Sequence, residues 1–177
     1  MFKILKQNLY VGFVDSLVTT EVKQMYELAL KNKLVDGTIT CTINGTQTSN
    51  IVSLFAKSHT AEILNNYTSE YLKNYYSLNN ISRLAEFAFE IHHLHVIKYN
   101  NGYQVKHNHS WNEDHSFLLY LNDSIGSTRF YNDVTPYDVE PEANKIVFFN
   151  SAIEHEGLHT ENKFVLVGGI RVHKDWR

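Results

Sequence analysis

The stretch KHNHSWNEDH, residues 106–115, sets His107 and His109 two apart, adds His115 six further on, and carries Glu113 and Asp114 between them. Imidazoles and carboxylates are the donors a divalent transition metal accepts, so the cluster suggests a metal site. A solvated loop rich in histidine has the same composition, and the stretch alone leaves both readings open. If His107 and His109 share an extended segment, their side chains point to one side and can face one ion. A third donor could come from far downstream. There EPEANKIVFFNSAIEHEG places Pro141 and Asn144 ahead of an apolar strand and His155 after a short loop. Asn144 suits a turn because asparagine tolerates the left-handed backbone conformation. Glu113 and Asp114 could rescue coordination, but as loop residues near the mouth of such a site they read as solvated. Eight residues beyond His155, Lys163 shares a strand face with Val165 and Val167. A buried amine there is costly without a partner, and an anion would remove the cost.

Two composition regimes must position these groups. TTEVKQMYELALKNK reads as a helix capped by Thr19 or Thr20, with Val22, Met25, Leu28 and Leu30 on its apolar face. SHTAEILNNYTSEYLKNYYSL reads as a second, with Ile63, Leu64, Tyr67, Tyr71 and Leu72 at three- and four-residue spacing. An aromatic stripe of this kind is packing rather than a cofactor box. Between them, GTITCTINGTQTSN alternates like a strand or hairpin around Asn44-Gly45. From residue 91 the pattern becomes IHHLHVIKY, YQVKHNH, SFLLYLN, STRFYN, KIVFFN and KFVLVGGIRV, six β-like runs between turn residues. Short strands at close spacing indicate a sandwich or barrel, so the expectation is helices packed on one side of an antiparallel β-sandwich.

With 177 residues the chain is expected to form a single domain over 1–177, with helical support over about 1–90 and the β-rich part over about 91–177. A domain of that size buries roughly 70% of its unfolded surface without disulfides. Cys41 is the only cysteine, and it reads as an ordinary core or loop residue. Lys3 and Lys6 interrupt the apolar run at the start, so no signal peptide is expected, and no segment approaches membrane-spanning length. A cytoplasmic protein with no membrane partner follows. The net charge of −3 and pI near 6.3 supply no basic field, which counts against nucleic acid as a partner.

Taken together, Y-x2-G-x4-H-x-H, then LLYLN, GSTRFY, P-x2-N-x4-F-x5-H and K-F-V-L, resembles the prolyl-hydroxylase branch of the Fe(II)/2-oxoglutarate dioxygenases over residues 92–173. The motifs come in the family's order and near its spacing; the N-terminal part matches only in helical character. The resemblance implies a mainly β fold with flanking helices, a double-stranded β-helix or jelly roll. It also implies Fe(II) at the mouth, held by a His-x-Asp pair and a distal histidine. On that pattern His107 is the first metal ligand and His155 the distal one, while His109 stands where the family has aspartate. Lys163 and Tyr120 would hold the far carboxylate of 2-oxoglutarate, and Tyr99 would line its pocket. For the two tyrosines, plain core packing is an equal reading.

The aspartate departure bears most on function. His109 either completes a three-histidine site, leaves a vacancy on the metal, or marks a site that has lost its redox role. The resemblance implies a hydroxylase that uses 2-oxoglutarate and dioxygen on a protein, peptide or small-molecule substrate, with a tilt toward prolyl or peptidyl targets. No side chain beyond the metal ligands need be catalytic. Two rivals stand beside it. One is a non-catalytic metal- or metabolite-binding module with a drifted iron site. The other is a three-histidine dioxygenase independent of 2-oxoglutarate, since H-x-H-x3-E from His107 to Glu113 matches part of a cupin motif. Arg171 follows Gly168-Gly169, where a bulge would obscure its facing. His92, His93, His95, His159 and His173 read as structural or surface residues, with His159 nearest to His155.

Overall fold

A computed structural model describes residues 2–4, 9–31, 42–43, 46–55, 58–78 and 88–173. Cys41 and the Asn44-Gly45 turn lie outside the described residues. Two antiparallel sheets form the frame. The larger runs in the order β1 (Lys3–Ile4), β2 (Tyr10–Phe13), β10 (Lys145–Asn150), β7 (His115–Tyr120), β12 (Phe164–Val172), β5 (Phe89–Tyr99), β4 (Thr46–Asn50). The smaller runs β3 (Thr42–Ile43), β6 (Gly102–His107), β11 (Glu154–Thr160), β8 (Thr128–Tyr131), β9 (Tyr137–Val139). Among the described residues three helices complete it: α1 (Ser16–Lys31), α2 (Val52–Phe55) and α3 (Thr60–Leu78). This is the jelly roll with flanking helices that the sequence motifs imply. Among the described residues no helix is long and apolar enough to cross a membrane.

Alternation along the strands assigns the two cores. In β7 and β10, Phe117, Leu119, Ile146 and Phe148 face the helices. Their neighbours Leu118, Tyr120, Val147 and Phe149 face the second sheet, where Phe130 meets them. Helix α1 starts earlier than threonine capping implies. Asp15 accepts the Leu17 amide at 2.8 Å and is the N-cap, whereas Thr19 and Thr20 sit in the first turn and donate back to the Ser16 carbonyl. Its buried face is Val18, Thr19, Val22, Met25, Tyr26 and Ala29, and Leu28 is exposed. The stretch around residues 42–50 is not a hairpin: β3 pairs with β6 and β4 with β5, so its strands join opposite sheets. The six β-like runs of the sequence omit β2, β9 and β11, because YVGF, YDV and EHEGLHT lack a clean apolar alternation. The irregularity opposite Gly168-Gly169 also belongs elsewhere. Gly169 pairs with His93 and Ile170 with Ile91, so the additional residue is His92 on β5, and β12 keeps its alternation.

His115 belongs to this frame and not to a metal cluster. It is buried under α3, with Tyr71 Oη 2.8 Å from Nδ1 and Tyr76 Oη 3.1 Å from Nε2. Desolvation lowers its pKa to about 4. Because the unfolded imidazole titrates near 6.5, stability is complete above that pH and is lost as pH falls toward the folded value. Between pH 8 and pH 5 this one group is expected to remove about 2 kcal/mol. Urea unfolding across that range checks it, with His115→Gln showing a shallower pH slope.

Candidate metal centre and anion pocket

The smaller sheet brings distant residues together. β6 and β11 are antiparallel neighbours, and His155 on β11 lies directly across from His107 on β6. Their rings are 4.4 Å apart between centroids. His109 falls just past the end of β6, so it does not reach the site by strand alternation. Instead its amide donates to the Ser151 carbonyl at 2.9 Å, while its own carbonyl accepts from Asn112 and Glu113. That turn folds the imidazole back, leaving His107 Nε2 and His109 Nε2 3.1 Å apart. The ligand atoms of His107, His109 and His155 all lie within 4.8 Å of one another.

Tautomers follow from the partners. His107 Nδ1–H donates to the Val105 carbonyl at 2.7 Å, and His155 Nδ1–H to that of Ile153 at 3.0 Å. A carbonyl only accepts, so each Nε2 carries the lone pair that a metal requires. Ligands at right angles around an ion at about 2.1 Å lie about 3.0 Å apart; the His107–His109 separation of 3.1 Å suits such a pair. Burial lowers the pKa of all three, His109 to about 4 and His155 well below the usual range. They are neutral imidazoles near pH 7, the form that binds metal. Phe149 and Phe130 pack on His155 at 4.9 and 5.7 Å. The donor set therefore fits a borderline divalent ion such as iron, with three neutral nitrogens and no carboxylate.

His155 also forms part of the wall of a second feature. Beside it, Tyr99, Gln104, Thr128, Gly157 and Lys163 enclose a void of about 10 Å³, room for a water molecule and little more. Lys163 stands one residue ahead of β12 and is 2% exposed. Desolvation depresses its pKa to about 8. Its Nζ donates to the Gly126 carbonyl at 3.0 Å and lies 4.8 Å from the Tyr99 ring centre; among the described residues no carboxylate pairs with it. Tyr120 is fully buried and donates to Thr128 at 2.8 Å, so it touches the pocket through that residue. Burial raises the pKa of Tyr99 and Tyr120, keeping both hydroxyls protonated. No fixed motif position falls on Gly157 or Gln104, and Thr128 lies within GSTRFY with no role assigned to it there. A Cβ at Gly157 would lie 3.3 Å from both Lys163 Nζ and Gln104 Cβ, so the glycine eases the packing around the lysine end.

Glu113 and Asp114 are not the solvated loop residues that their place in the sequence suggests. Glu113 has a fully buried side chain held by His93, His92 and Ser116. Burial pushes its carboxyl up, but the hydrogen bond and attraction of His93, with His109 and Ser116, outweigh this and hold it below the usual range. Asp114 accepts the Val172 amide at 2.8 Å and is part of the frame. Arg171 donates to Asn112, and His159 is exposed.

No protein-family model matches the sequence, and no curated protein matches it. Solved structures do match. The chain is similar to a Pseudomonas putida prolyl-4-hydroxylase, with a TM-score of 0.66 and 20% identity over 94% of this chain and 93% of that one. It is also similar to a Trichoplax adhaerens prolyl hydroxylase solved with a hypoxia inducible factor oxygen degradation domain peptide fragment, at TM-score 0.66 and 17% identity over 94% and 84% of the two chains. A third is the non-heme alpha ketoglutarate dependent epimerase SnoN from nogalamycin biosynthesis, at TM-score 0.67 and 11% identity over 93% and 78%. The fold is the prolyl-hydroxylase-like fold of the 2-oxoglutarate/Fe(II) oxygenases.

If the three imidazoles form one site, His107→Ala or His155→Ala is expected to remove one equivalent of bound divalent metal. His159→Ala leaves binding unchanged. Cobalt titration followed by absorption or calorimetry reads the difference.

Proposed function

We propose that the protein is an Fe(II)/2-oxoglutarate-dependent hydroxylase whose metal is held by His107, His109 and His155. One observation carries this reading: His155 belongs both to the imidazole cluster and to the wall of the pocket that buries Lys163. Metal and anion sites thus share a residue, as a chelating keto acid that reaches from an ion to a cation requires. Bound iron supplies the chemistry that couples decarboxylation of 2-oxoglutarate to insertion of an oxygen atom into a C–H bond. The protein's own groups bind, orient and exclude water. Lys163 meets the far carboxylate as a compact charge. Tyr120 acts through Thr128, Tyr99 caps the lysine, and Phe130 and Phe149 keep the His155 side dry. The likeness to prolyl hydroxylases supports a prolyl or other peptidyl substrate.

The substitution at position 109 shapes the charge. Three neutral ligands leave a bound ion its full double charge, which strengthens its hold on an anionic co-substrate. Glu113 returns a buried negative charge to the neighbourhood, since its attraction acts on both His107 and His109. The pocket must also open. With a void of about 10 Å³, Lys163 has to leave the Gly126 carbonyl before a five-carbon diacid can enter. That closed state favours a second reading, a metal-binding module or a three-histidine dioxygenase that does not use 2-oxoglutarate.

Lys163→Met is expected to weaken 2-oxoglutarate binding by roughly ten- to a hundredfold, the loss of about 1.5–3 kcal/mol from a charge-assisted contact. Equal binding by both forms in calorimetry would mean that the anion sits elsewhere. The second test is His109→Asp, with oxygen uptake and succinate formation followed in the presence of Fe(II) and 2-oxoglutarate. The natural protein is expected to turn over 2-oxoglutarate slowly without substrate, and the aspartate form not to exceed it greatly. A silent natural protein beside a strongly active His109→Asp favours the binding module.

A further inference from the structure

A second group of donors lies on the same inner face, and the reading above uses only the charge of its carboxylate, Glu113. Residues adjacent in a strand normally point to opposite faces. In β5, Ile91 packs with the helix-side core and so does Leu94. Two residues, His92 and His93, stand between them, so one residue too many separates two side chains on the same face. The ladder shows why: Gly169 pairs with His93 and Ile170 with Ile91, which leaves His92 as the extra residue of a β-bulge. A bulge re-aims a side chain, and here it turns two consecutive imidazoles toward one point.

That point is the Glu113 carboxylate. His92 Nε2 lies 3.3 Å from Glu113 Oε2, and His93 Nε2 hydrogen-bonds the same oxygen. The three ligand atoms lie within 4.8 Å of one another. Opposite the bulge, β12 supplies Gly169, and a Cβ built there would run into both Glu113 and His93. The far nitrogen of His93 is held as well, with His95 Nδ1 3.3 Å from His93 Nδ1, the kind of partner that orients a metal-binding imidazole. Ser116 occupies the other carboxylate oxygen. The cluster is sheltered but reachable: the His92 and His93 side chains are 11% and 17% exposed and that of Glu113 is 0%. An open hollow between Trp111, Asn112 and Arg171 leads to Glu113. Arg171, whose charge acts on His92, is turned to Asn112 by two hydrogen bonds.

We infer that His92, His93 and Glu113 form a second metal site, distinct from His107, His109 and His155. Two imidazoles and one carboxylate select a borderline divalent ion such as zinc, cobalt or iron over calcium or magnesium, and leave open positions for water. An ion entering here separates His93 from Glu113 and takes the lone pairs that now share a proton. The site does not depend on the proposed hydroxylase function, because its ligands come from β5 and the segment before β7.

The test uses untagged full-length protein and cobalt as the probe, with metal content and visible absorption measured after gel filtration. The natural protein is expected to saturate at about two equivalents. His107→Ala with His155→Ala keeps about one, His92→Ala with His93→Ala keeps about one, and the four-fold variant keeps none. Gly169→Ala, which fills the space between Glu113 and His93, is expected to lose the same equivalent as the bulge variant. Saturation of the natural protein at one equivalent, lost with His107→Ala and His155→Ala, overturns the inference without recourse to any bulge variant. Two equivalents retained by His92→Ala with His93→Ala overturns it as well. One equivalent that survives His107→Ala with His155→Ala but is lost with His92→Ala and His93→Ala supports this site while removing the other.

Discussion

The pairing of β6 with β11 is the constraint on which the rest of the site depends. It sets His107 across from His155, and it fixes both rings by the same local device, an Nδ1–H bonded to a carbonyl two residues earlier. Two residues remote in sequence thereby present lone pairs at one point before any ion arrives. Such preorganisation costs stability, because buried imidazoles resist protonation and exclude water from polar nitrogens. The two phenylalanines on His155 are part of that cost and part of its purpose. They lower the local dielectric, in which a metal–nitrogen bond and a nearby charge act more strongly.

Charge on the inner face is arranged with the same economy. Lys163 is a buried cation bonded to a neutral carbonyl, and Glu113 is a buried anion shared by two histidines and a serine. Lys163 lines one pocket with His155, and the charge of Glu113 is felt at His107 and His109. A site with three neutral ligands needs that frame more than one with a carboxylate among its ligands. Lys163 is held by the Gly126 carbonyl and the Tyr99 ring, neither of which carries a charge. Desolvation by burial depresses its pKa, which disfavours the charged amine.

Room for these groups is made by omission. Gly157 leaves space for the end of Lys163, and Gly169 leaves space for the meeting of Glu113 and His93. Both glycines lie on strands, Gly157 across from Gln104 and Thr128 and Gly169 across from His93 and Ser116. The bulge at His92 complements them, since it changes facing without breaking the antiparallel ladder on β12.

Much of this was legible in the sequence. Short β-like runs from residue 91 and a 3.6-residue period in α1 and α3 implied a sandwich or barrel with helices on one side, and the resemblance of the motifs around His107 and His155 to a known family made it a jelly roll. Lys163 was legible because a lysine on the same strand face as Val165 and Val167 has to be explained. Other features were decided only by tertiary structure. His109 reaches its neighbours through a turn held by Ser151, a hydrogen bond to a residue 42 positions away. His115 belongs to Tyr71 and Tyr76, although its sequence neighbours are metal-type donors. Glu113 reads as a loop residue until β5 and β12 close over it. Local sequence determines period and donor type, since both follow from side-chain chemistry and backbone geometry. Which donors converge depends on strand register, on the shifts in the β6–β11 ladder and on the bulge at His92, and a shift of one residue sends every later side chain to the other face.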